Sequence, residues 1–189
     1  MNPLNVPNII TLSRIITIPF IVGIFYFPDD LVSFSAKNAT ATAIFIFAAV
    51  TDWLDGYLAR TLNQASAFGA FLDPVADKLI IVGALVVLLK EGRVDAVVAL
   101  IIIGREIAIS ALREWMAKVG QAKSVAVAFI GKLKTVSQMI AVPLLLLYED
   151  QFLGFINCPA LGTILINVAA VLTVISMLYY LRKALPHAL

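Results

Sequence analysis

Six stretches of this chain are mostly apolar and each runs to about twenty residues or more, the length of helix that crosses a hydrocarbon layer about 30 Å thick. They span Asn8 to Phe27, Asn38 to Arg60, Ala67 to Leu89, Asp95 to Ala117, Ser124 to Tyr148 and Pro159 to Leu185. In lipid a backbone amide finds no water, so a spanning segment must close its hydrogen bonds within itself, as a helix does. The predicted fold is therefore all-α: a polytopic membrane protein, a bundle of six transmembrane helices forming one domain over residues 1–189. Composition agrees, since 61% of the residues are hydrophobic and 14% charged, where a soluble domain carries about 25% charged residues. A soluble globular enzyme is excluded.

The opening MNPLNVPNIITLSR has neither the basic start nor the small-residue cleavage site of a signal peptide, so the first segment is expected to be retained. One cysteine, Cys158, permits no intrachain disulfide. With a single histidine, His187, beside it, a zinc site is not expected, and any metal would be held by oxygen as magnesium, manganese or calcium.

The loops set an orientation. Arg60, Lys118, Lys123, Arg182 and Lys183 fall on one side with no acidic loop residue. Lys37, Lys90 and Arg93 fall on the other with Asp29, Asp30, Glu91, Asp95, Glu149 and Asp150. Basic loops stay in the cytoplasm, which places both termini and the second-to-third loop there.

Against this apolar background stand four aspartates, Asp52, Asp55, Asp73 and Asp77. A carboxylate within a spanning segment costs at least about 2.5–3.5 kcal/mol, and four near one another also repel. Asp52 and Asp55 are three apart, with Gly56 four from Asp52, and so share a helix face; Asp73 and Asp77 are four apart and share another. The stretch Thr61 to Ser66 is short, which predicts antiparallel neighbouring helices whose acidic ends meet near the cytoplasmic interface. Gly56, Ala59, Gly69 and Ala70 would leave bare surface there, and Pro74 would loosen a backbone bond beside Asp73. Divalent cations would offset four carboxylates. Pairing with Arg60 and Lys78 is the bland alternative, and an ion or proton pathway the functional rival, although no internal repeat of the kind many transporters carry is visible.

The string from Asp52 to Asp77 fits the pattern D-x2-D-G-x2-A-R-x8-G-x3-D-x3-D at every fixed position: Asp52, Asp55, Gly56, Ala59, Arg60, Gly69, Asp73 and Asp77. On these eight residues the chain resembles the CDP-alcohol phosphotransferase family. NVPNIITLSR, GREIAISALREW and GKLKT resemble the bacterial branch of that family that joins CDP-diacylglycerol to sn-glycerol 3-phosphate. The resemblance implies a six-helix homodimer in the cytoplasmic (inner) membrane, its active site facing the cytoplasm, with two divalent cations, Mg2+ or Mn2+. It implies metal ligands at Asp52, Asp55, Asp73 and Asp77, with Asp77 also the catalytic base. Contacts to the CDP-lipid fall, on the same resemblance, to Asn8, Thr11, Gly56, Arg60, Ser66 and Gly69; helix capping is the bland alternative for Asn8, which follows Pro7. The reaction implied is a direct displacement on the lipid-side phosphorus, releasing CMP. Other acceptors within the family would be inositol phosphate, serine or phosphatidylglycerol, and no nucleic-acid partner is expected.

A phosphorylated acceptor needs its own cations. Arg105 and Arg113 are eight apart, about two turns, and Lys132 and Lys134 follow Gly131. Arg105, Arg113 and Lys132 are the expected phosphate contacts; two lysines two apart cannot both face one pocket from a helix, and the resemblance favours Lys132. The bland alternative is internal pairing with Glu106 and Glu114.

Overall fold

A computed structural model describes residues 6–61, 67–120 and 129–185. Among them the regular elements are helices: α1 (Val6–Gly23), α2 (Phe34–Thr61), α3 (Ala67–Lys90), α4 (Ala96–Lys118), α5 (Phe129–Leu147) and α6 (Cys158–Ala184). A short 3₁₀ turn, Ile24–Tyr26, extends α1. Every predicted segment is a helix, with ends within a few residues of the expected ones except at the start of α5, where residues 121–128 lie outside the described residues. Among the described residues three apolar stretches are long enough to cross a membrane: Asn8–Tyr26, Phe34–Asp52 and Cys158–Ala184, with a shorter one at Leu133–Leu147. Large apolar side chains such as Ile16, Phe20, Phe47, Leu100, Ile107 and Ile164 face outward, as lipid contact requires and water would penalise. The protein is an all-helical membrane protein.

The chain folds as two compact units, residues 1–91 with 146–148 and residues 92–145 with 149–189. In the first, α1 packs along both α3 and α2, whereas α2 and α3 touch each other far less. α2 and α3 are still in direct contact, and α1 packs on both. The reason lies in the side chains of α1. Its buried stripe runs Asn8, Thr11, Arg14, Ile21 and, in the 3₁₀ turn, Phe25, at the three-to-four spacing of one helix face. The first half of that stripe is polar and the second apolar. In the apolar half a Cβ added at Gly83 of α3 would come within 2.8 Å of Ile18 Cγ2, so the missing side chain is what lets α1 and α3 approach.

In the second unit α4 packs against α6. Ile109 and Met116 meet Tyr180 and Ala184, flanked by Leu112, Trp115 and Met177. Capping follows the sequence: Asp95 accepts from the Val97 amide at 2.8 Å at the start of α4, and Asn157 from the Ala160 amide at 2.8 Å at the start of α6. Pro159 occupies the first turn of α6, where no amide hydrogen is needed. Cys158 is a buried free thiol at the first position of α6. Gly162 abuts Leu145, whose Cγ lies 2.7 Å from where a Cβ would stand.

Candidate active site

The acidic ends of α2 and α3 meet on the polar half of α1. Asp52 lies within α2, and its side chain is partly exposed. Arg14 Nη1 donates to Asp52 Oδ1 at 2.8 Å and to Asp77 Oδ1 at 2.7 Å. One turn earlier on the same face Thr11 Oγ1 donates to Asp73 Oδ1 at 2.8 Å. Asp73 and Asp77 lie one turn apart on α3, so the two α1 side chains grip two successive turns of that helix. The Arg14 side chain is 1% exposed, while those of Asp52 and Asp77 are 40% and 49% exposed. The guanidinium is therefore sunk beneath carboxylates that still open outward.

Three of the four expected metal ligands are thereby brought onto one face of α1. The backbone of Asp55, Gly56 and Arg60 lies in α2, but their side chains lie outside the described residues, as do Ser66 entirely and the side chain of Lys132 in α5. Gly69 and Asn8 are buried. The capping alternative for Asn8 is corrected: residues 6 and 7 are already helical, so Asn8 lies inside α1 rather than at its cap. Thr11 also meets a carboxylate of the cluster, Asp73, a contact the sequence does not show.

Arg14 escaped the sequence reading, which counted Arg60 and Lys78 as the cations near the acids. Its signal was visible: one arginine inside an otherwise uncharged apolar segment is costly unless paired. The donor set fits a hard divalent ion, since carboxylate oxygens from two helices converge with no sulfur or imidazole among them. Among the described residues no group of three such side chains is by itself close enough to hold an ion; Asp55 is the ligand that the described side chains do not include.

The cationic residues of the second unit form a separate group. Glu106 Oε1 accepts from Arg105 Nη1 at 2.8 Å and from Lys134 Nζ. Both cations are buried, as are Ser137 and Gln138 on the face of α5 that carries Lys134. Arg105 Nε and Gln138 Oε1 are buried and have no hydrogen-bond partner among the described residues, which in a native interior calls for an explanation. Arg113 is exposed on α4, with its guanidinium 5.7 Å from the centre of the Tyr180 ring. Internal pairing therefore accounts for part of this group: Glu106 binds two of the cations, and Glu114 pairs with Lys118 at 2.9 Å. Among the described side chains, the lysine that joins Arg105 on Glu106 is Lys134.

A family model, CDP-alcohol phosphatidyltransferase, matches residues 4–175. The chain belongs to this family. The match crosses both units and takes in the Asp52–Asp77 string and the Glu106 group alike. Relatives within the CDP-alcohol phosphatidyltransferases resemble the chain over nearly its whole length. The CDP-diacylglycerol–glycerol-3-phosphate 3-phosphatidyltransferase of Escherichia coli (strain K12) is 48% identical over 182 residues, 95% of this chain and 94% of the relative. Proteins of the same name from Shigella flexneri serotype 5b and Salmonella choleraesuis are 48% and 47% identical, with the same coverage.

Proposed function

We propose that this protein transfers the phosphatidyl group of CDP-diacylglycerol to sn-glycerol 3-phosphate, giving phosphatidylglycerol phosphate and CMP. The observation that carries the reading is the convergence of Asp52, Asp73 and Asp77 on Thr11 and Arg14, in a chain whose relatives of that name match it from end to end. Residues 1–189 would act as one catalytic domain, as a homodimer.

Asp52, Asp55, Asp73 and Asp77 would hold two divalent cations, Mg2+ or Mn2+. When bound, such ions clamp phosphate oxygens and stabilise charge on the attacking and leaving groups. The protein's own part is positional. Arg14 and Thr11 fix three carboxylates before substrate arrives. Asp77, half-open to the surroundings, takes the proton from the acceptor hydroxyl; a base in that role contributes about 10²–10⁴-fold. Gly56 lets the nucleotide approach the α2 backbone, Arg60 pairs with a phosphate through its fork, and Asn8, Ser66 and Gly69 complete the seat.

The acceptor's phosphate would be recognised by Arg105, Arg113, Lys132 and Lys134. Arg105 Nε and Gln138 Oε1 are a buried donor and a buried acceptor without protein partners among the described residues, as a site for a polar ligand would leave them. The protein would lie in the cytoplasmic membrane with its active site toward the cytoplasm. The charge pattern supports this. Lys37 is bound to Asp29 and to the Phe27 carbonyl, both at 2.5 Å, Lys90 to the Phe25 carbonyl at 2.8 Å, and Arg93 to the Leu145 carbonyl at 2.9 Å. The three basic residues on the side assigned to the exterior are thus each tied to a protein oxygen, while Arg182 and Lys183 are exposed.

Purified protein in detergent, given CDP-diacylglycerol, Mg2+ and sn-glycerol 3-phosphate, should release CMP. CMP with inositol phosphate or serine but not glycerol 3-phosphate would overturn the acceptor; no CMP with any alcohol would overturn the enzyme reading.

A further inference from the structure

Arg14 stands among residues whose expected task is to attract cations, and it is itself a cation. An arginine side chain does not lose its proton, so this charge is permanent. It sits where a divalent ion would feel it: one nitrogen binds carboxylates of both α2 and α3 at 2.8 and 2.7 Å. We propose that Arg14 is a resident counter-cation of the aspartate cluster, weakening its hold on divalent ions and leaving the loaded site positive for an anionic diphosphate. The proposal rests on the two-metal reading above.

The charge count gives the sense of the effect. Four aspartates carry four negative charges, and two divalent cations would neutralise them fully. Arg60 is expected to meet one phosphate of a diphosphate that carries two negative charges. Arg14 adds a further positive charge to the aspartate cluster itself, held at 1% exposure where water screens it little. The same charge repels an incoming divalent ion and keeps the acids from binding it so tightly that it cannot exchange. A merely structural bridge would act in the opposite sense. Removing it would let Asp52 and Asp77 spread apart and would weaken metal binding, so the sign of the change separates the two roles.

The experiment measures Mn2+ binding to the detergent-solubilised full-length protein without substrate, by the electron paramagnetic resonance of free Mn2+. Arg14→Gln keeps an N–H donor and removes the charge; it should bind Mn2+ about tenfold tighter or more, since a like charge a few ångströms away is lost from a partly buried site. Arg14→Lys keeps the charge and should stay close to wild type. At low lipid concentration Arg14→Gln should also show a raised KM for CDP-diacylglycerol, which Arg14→Lys should not. Unchanged or weaker Mn2+ binding in Arg14→Gln overturns the proposal, with weaker binding assigning Arg14 a structural role. If that variant is not monodisperse, the same comparison is made between Asp77→Asn and Arg14→Gln/Asp77→Asn, where one carboxylate fewer is left without its arginine and the same tightening is expected. Absence of Mn2+ binding by the wild-type protein would overturn the two-metal reading itself, a result distinct from failure of the counter-cation.

Discussion

Thr11 and Asp73 are joined by a 2.8 Å hydrogen bond in which the hydroxyl of α1 donates to a carboxylate of α3. The bond fixes which oxygen of Asp73 is occupied by protein and which remains for a ligand. A hydrogen bond to a charged group is worth about 1.5–3 kcal/mol. Thr11→Val, which keeps the shape and removes the donor, should therefore raise the Mg2+ concentration for half-maximal CMP release by about tenfold, since 1.4 kcal/mol is a factor of ten. Thr11→Ser should restore it. A Thr11→Val enzyme with an ordinary Mg2+ requirement would mean that Asp73 is oriented by something else.

Asp77 differs from Asp52 in its expected task though both touch Arg14. Asp77→Asn should retain Mn2+ while turnover falls about 10²–10⁴-fold, the range for loss of a positioned base. Asp52→Asn should weaken Mn2+ binding and turnover together. If Asp77→Asn turned over at the wild-type rate, the proton would have to leave by another route.

The helices and the acidic residues were legible in the sequence because both are strong local signals: long apolar runs, and carboxylates set against them at helical spacing. What holds three of the carboxylates together was not. Arg14 and Asp77 are separated by 63 positions, and nothing within the first segment says which later helix its cation faces. The short connection between α2 and α3 constrains chain ends rather than faces, so it does not show that α1 packs on both. Lys134 meets Glu106 on another helix, a contact that spacing along α5 does not reveal.

The Glu106 group yields a prediction about the acceptor. Lys134 and Arg105 share one carboxylate oxygen, so two positive charges meet a single negative one and a surplus is left for an anion. Lys134→Met should raise the KM for sn-glycerol 3-phosphate by at least about tenfold, the loss of one charge-assisted contact, while the KM for CDP-diacylglycerol stays near wild type. Arg113→Ala, at an exposed position over Tyr180, should shift the same KM by less. Equal effects on both substrates would place this group outside the acceptor site.

Two helix glycines should respond in opposite directions. At Gly83 an added Cβ would stand 2.8 Å from Ile18 Cγ2 and 3.9 Å from Val22 Cγ2, so Gly83→Val must push α1 away from α3. Overpacking of this kind costs about 1–3 kcal/mol. Because α1 carries Thr11 and Arg14 to the aspartates, the displacement should reach the site: Gly83→Val should melt earlier in detergent and bind Mn2+ with an altered affinity. At Gly104 of α4 an added Cβ meets nothing within 4 Å, and the helix itself gains from the exchange, by about 0.5–1 kcal/mol for Gly to Ala. Gly104→Ala should melt at or above the wild-type temperature with Mn2+ binding unchanged. Thermal unfolding of the two variants beside wild type, with Mn2+ titrated into each, checks both; a Gly83→Val protein with wild-type melting and Mn2+ affinity would show that the close approach of α1 to α3 is not what positions Arg14.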